Sequence, residues 1–108
     1  MPVFERKIGR LSIVGRTGRR IAFTAQVDKN LTGATVEAAA FSLVGREVVM
    51  QATVTVLGYS GGHSSALVEF PAEDVARLGV GTFGWRMEAT IPGCAERDLL
   101  AGTLEIKP

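Results

Sequence analysis

The stretch PAEDVARLG (71–79), TFGWRMEATI (82–91), PGCAERD (92–98), LLAGTLEI (99–106) decides the fold. In its second piece Phe83, Trp85, Met87, Ala89 and Ile91 alternate with Thr82, Gly84, Arg86, Glu88 and Thr90. A period of two places one set in a core and the other in water, which is a β-strand. The closing piece repeats the pattern with Leu100, Leu104 and Ile106, and Gly102 falls on the same apolar parity. Trp85 or Met87 on the neighbouring strand is expected to lie over that bare backbone. Gly84 falls on the outward face, where it marks a bulge or a close approach by another chain, the bulge being the first reading. The first piece reads as a short helical corner. Pro71 suits a first helical position, Glu73 and Asp74 follow it, and Arg77 stands near the end.

Upstream, glycines and polar clusters punctuate the chain. GRTG (15–18) reads as a hairpin turn between LSIV (11–14) and RRIAFTAQV (19–27), in which Ile21, Phe23, Ala25 and Val27 share a face. DKNLTG (28–33) is a polar connection, and ATVEAAAFSLV (34–44), whose alanines leave helix and strand both open, is favoured as a strand by Thr35, Val36 and its short, glycine-bounded length. REVVMQATVTVL (46–57) is the longest strand candidate, with Met50, Ala52, Val54 and Val56 on one side. GYSGGHSS (58–65) reads as a loop on composition, followed by a short strand, ALVEF (66–70). About seven short strands with one brief helix predict an all-β fold: a single antiparallel, Ig-like β-sandwich with a helical corner near 71–79. Residues 1–10 read as a basic arm or edge segment, and 11–108 as the sandwich domain.

A chain of 108 residues is one domain, and 46% hydrophobic residues suffice for a core without metals or disulfides. Its single cysteine, Cys94, rules out an internal disulfide, which excludes a disulfide-stapled domain and is compatible with a reducing compartment. No apolar run approaches the roughly 18–20 residues that span a bilayer, and MPVFERKIGR lacks a signal-peptide pattern. Net charge is +1 but uneven: Arg6, Lys7, Arg10, Arg16, Arg19 and Arg20 stand against Glu5 in the first twenty residues, giving +5 there and −4 beyond. Such a head either guards a strand edge with charge or helps subunits and polyanions associate.

Chemistry is hard to find. His63 is the only histidine, and a catalytic arrangement needs Ser60, Ser64, Ser65 or Cys94 brought to it together with an orienting acid. One histidine and one cysteine are too few for a zinc set. GYSGGHSS lacks the Gly-Lys-Ser/Thr ending of a phosphate loop. Glu73 and Asp74 suit a helix start rather than acid–base work. The basic head has only Phe4 and Phe23 near it for base stacking, so nucleic acid is not the expected partner. No cofactor, metal or catalytic residue is predicted.

DKNLTGATVEAAAF (28–41), VEFPAEDVARLGVGTFGWRMEAT (68–90) and RDLLAGTLEIKP (97–108) together resemble a small domain of tailed-phage and prophage structural proteins. The resemblance implies an Ig-like or baseplate-type sandwich serving as a non-enzymatic part of a virion, in its tail, baseplate or head–tail region. It also implies partners among other virion proteins and copies of the same chain, a virion location and assembly in the host cytoplasm. Where that family often has a corner Tyr, this chain has Phe83, so a corner hydroxyl bond is impossible. The expected contact residues are Arg6, Lys7 and Arg10 in the arm, Gly84 and Arg86 on the outward strand face, and Tyr59 and His63 in the loop. The alternatives are a carbohydrate- or receptor-binding module and a soluble regulatory binding domain.

Overall fold

The computed structural model describes residues 9–90 and 97–108. Its elements are β1 (Gly9–Arg10), β2 (Ile13–Arg16), β3 (Ile21–Val27), β4 (Thr35–Phe41), β5 (Val48–Gln51), β6 (Thr53–Ser60), β7 (His63–Phe70), α1 (Ala72–Leu78), β8 (Gly81–Thr90) and β9 (Arg97–Lys107). They form two sheets. One is six-stranded in the order β1-β9-β8-β4-β5 with β2 also on β9; the other is three-stranded in the order β3-β7-β6. The expected two-sheet β-sandwich with one short helical corner is the architecture observed.

The core lies where the inward parities of the two sheets meet. Trp85, Met87, Ala89, Leu104 and Ile106 come from the larger sheet, and Ala25, Ala66, Val68 and Phe70 from the smaller. Phe23 of β3 meets Trp85 of β8 edge to face, with ring centroids 5.2 Å apart and planes at 78°. Such a pair adds about 0.5–1.5 kcal/mol beyond its buried area. The alternation read in β8 therefore names the core face correctly, and Arg86 and Thr90 are on the wet side.

Trp85 also fixes the N-terminal strands. Its indole N–H donates to the Leu11 carbonyl at 2.7 Å. Gly102 pairs with Trp85 across β8 and β9. A Cβ there would sit 2.0 Å from the Leu11 oxygen and 3.2 Å from the indole nitrogen. The bare backbone expected at Gly102 is thus filled from two sides, by Trp85 and by the backbone between β1 and β2.

Three local readings are corrected. GRTG does not close a hairpin: β2 runs parallel to β9 in the larger sheet, whereas β3 pairs with β7 in the smaller. The turn is a crossing between sheets, held by Arg19 N–H to the Arg16 carbonyl and by Thr17 N–H to the Lys107 carbonyl. Among the described residues the parallel pairing of β1 and β2 with β9 is the departure from an antiparallel plan. The long candidate at 46–57 is two strands, because the chain leaves β4 after Gln51 and joins β7 from Thr53. Alternation continues through Ala52, so periodicity cannot see the change of sheet.

The third correction concerns GYSGGHSS, which is a hairpin rather than a loop. Ser60 pairs with His63, and Gly61 and Gly62 form the two-residue turn with φ of 62° and 84°. Two positive φ values are the primed turn that matches strand twist, and glycine enters it without steric penalty. The helical corner is as read, except that Pro71 is the N-cap and the helix begins at Ala72. Val75 anchors it in the core, and Gly79, at φ 74°, ends it by donating to the Val75 carbonyl.

Candidate functional site

The outer face of the three-stranded sheet carries an open groove whose lining mixes polar and apolar side chains. On β7 the parity alternates: Ser64, Ala66, Val68 and Phe70 are buried, which turns His63, Ser65, Leu67 and Glu69 outward. On β3 the outward residues are Ala22, Thr24 and Gln26. Register places Gln26 beside Ser65, and Ser65 beside Gly58. A bulge between Val56 and Gly58 puts Leu57 out of step in β6. The result is an open groove of about 460 Å³ lined by Thr24, Gln26, Leu57, Gly58, Tyr59, Ser60, His63 and Ser65.

His63 acquires a partner that the sequence does not reveal. Its Nδ1 lies 2.7 Å from Asp28 Oδ1, with side-chain exposures of 53% and 87%. Asp28 immediately follows the last paired residue of β3, so the meeting depends on the β3–β7 register. A carboxylate on Nδ1 fixes the ring's orientation and leaves Nε2 as the available nitrogen.

The serines have different fates. Ser64 is buried: its hydroxyl donates to the Lys29 carbonyl at 2.6 Å and accepts from the Leu31 N–H at 3.0 Å. That hydroxyl organises the 28–34 connection rather than serving His63. Ser60 and Ser65 border the groove, and Cys94 lies outside the described residues. Among the described residues no group of three His, Cys, Asp or Glu could hold a metal. None of their helices is long and apolar enough to cross a membrane.

The remaining predicted contact residues are scattered. Arg6 and Lys7 lie outside the described residues. Arg10 is in β1, opposite Ala101 on the edge of the larger sheet. Tyr59 pairs with Ser64 near the hairpin end and remains 48% exposed. Gly84 is not a bulge: the register shift in this pair falls between Met87 and Glu88, and Gly84 is buried within its own chain. The Phe41 ring covers it, so that a Cβ would stand 2.4 Å from that ring. Arg86 stacks over the same ring at 5.6 Å and reaches Glu88 at 2.9 Å through Nε. The predicted patch at Gly84 and Arg86 is therefore already partnered within the chain.

No family model matches this chain, and no curated protein matches it. Solved structures do. A family 123 glycoside hydrolase from Clostridium perfringens, described for glycolipid glycan hydrolysis, aligns with 94% of the chain at 11% identity and a TM-score of 0.53. This chain spans 23% of that protein. A VGSC β-subunit structure, described for multimeric cell-adhesive interactions, aligns with 96% of the chain and 98% of its own length at 8% identity and a TM-score of 0.49. At 11% identity the likeness to the hydrolase is one of fold alone.

Proposed function

We propose that the chain is a non-enzymatic structural subunit that works by protein–protein contact, assembling with copies of itself and with other proteins of a phage-like particle. The particle setting, in its tail, baseplate or head–tail region, rests on the sequence resemblance. The contact mode rests on one observation, the free edge of the smaller sheet at β6. Val56, Leu57 and Tyr59 there are 37%, 58% and 48% exposed, and Thr53–Ser60 contains no charged residue and no proline.

Edges of solitary domains are ordinarily guarded by charge or proline. The β1 and β2 edge fits that rule with Arg10 and Arg16, and β5 is only four residues long. β3 is uncharged but leaves no large apolar residue exposed. The bulge at Leu57 interrupts a regular ladder, so the contact is side-chain packing rather than strand addition. The experiment is co-sedimentation with mass spectrometry on high-mass particles from cells that make the chain. A salt-resistant, fixed ratio to the major shell or tube protein is expected. Recovery only from the soluble fraction would overturn the particle reading.

A further inference from the structure

We propose that the groove on the outer face of the three-stranded sheet binds a carbohydrate through its hydroxyl groups, anchored by His63 Nε2 in an orientation held by Asp28. The proposal does not rest on the edge contact, since its anchors Gln26, His63 and Ser65 lie on the face of the sheet, although the groove shares Leu57 and Tyr59 with that edge. It is argued by asking which ligand chemistry this lining can satisfy. Among the described residues no arginine or lysine lines the groove, so an anion would meet no fixed positive charge from them. The adjoining carboxylate, Asp28, is already engaged by His63, which leaves little for a cation. A peptide adding to the sheet would need free backbone groups, and on a sheet face these are consumed by the ladders to β3 and β6.

What remains is a neutral molecule dense in groups that both donate and accept. A sugar hydroxyl is such a group. It can donate to Nε2 of a neutral imidazole or accept from a protonated one, so either form of His63 is a partner. The Gln26 amide and the Ser60, Ser65 and Thr24 hydroxyls are likewise two-way, and Leu57 offers apolar surface to sugar C–H groups. Gln26, Ser65 and Gly58 form a row across three strands, which spans about 10 Å at ordinary strand spacing. Gly58 supplies no side chain to that row, which leaves its end open.

The test is a titration of the intact chain with galactose, mannose and N-acetylglucosamine, followed by amide NMR shifts. At least one sugar should give saturable shifts centred on Gln26, Gly58, His63 and Ser65. His63→Ala and Gln26→Ala should each weaken it about five- to tenfold, the loss of one hydrogen bond. Asp28→Asn should weaken it less while leaving the spectrum folded. Both members of the Asp28–His63 pair are solvent-exposed, so these variants should retain the fold. Absence of shifts with all three sugars, shifts centred away from the groove, or unchanged affinity in His63→Ala would overturn the proposal.

Discussion

Trp85, Gly102 and Leu11 form the residue-scale joint on which the sandwich depends. Trp85 is fully buried, and its only polar atom is satisfied by the Leu11 carbonyl. Gly102→Ala would drive a methyl group into that carbonyl, and neither the strand nor the indole can yield freely. We expect a loss of about 2–3 kcal/mol in a urea unfolding curve followed by tryptophan emission. Ser64 is the second joint. Ser64→Ala removes the partner of both the Lys29 carbonyl and the Leu31 N–H, and should cost about 1–3 kcal/mol in the same assay. Arg86→Ala, by contrast, removes only an exposed ion pair and a ring contact, and should lower stability by less than about 1 kcal/mol.

At the scale of elements, what the sequence made legible was parity within a strand, and what it hid was the identity of the partner strand. The alternation in β8 and β9 named Trp85, Met87, Leu104 and Ile106 as core, because a sheet with one wet face imposes that period. The β5–β6 change of sheet left no mark, since an apolar parity stays apolar whichever sheet receives it. The same blindness hid Asp28 from His63: their pairing follows from register across residues far apart in sequence. The glycine pair 61–62 was visible, but its loop-like composition outweighed its hairpin meaning. The primed turn makes a sharp prediction. Gly61→Asn should be tolerated within about 0.5 kcal/mol, whereas Gly62→Val, β-branched at positive φ, should destabilise the β6–β7 hairpin by more than 1 kcal/mol, roughly, in thermal unfolding.

For the molecule as a whole, the two long sides of the sandwich are finished differently. The β1 and β2 side closes over β9 and displays Arg10 and Arg16, which discourages stray pairing. The β6 side ends in an uncharged strand with Leu57 and Tyr59 about half exposed and Val56 about a third exposed. Exposed apolar residues on an unguarded edge are what an assembling subunit would present, and they carry the functional account more than any single side chain does. Sedimentation velocity over a range of concentrations, on the wild type and on Val56→Lys, tests that account most directly. A concentration-dependent shift to larger species that Val56→Lys abolishes, with the variant still folded by circular dichroism, is the predicted result. An association that Val56→Lys leaves intact, or a wild type that stays monomeric at every concentration, would contradict it.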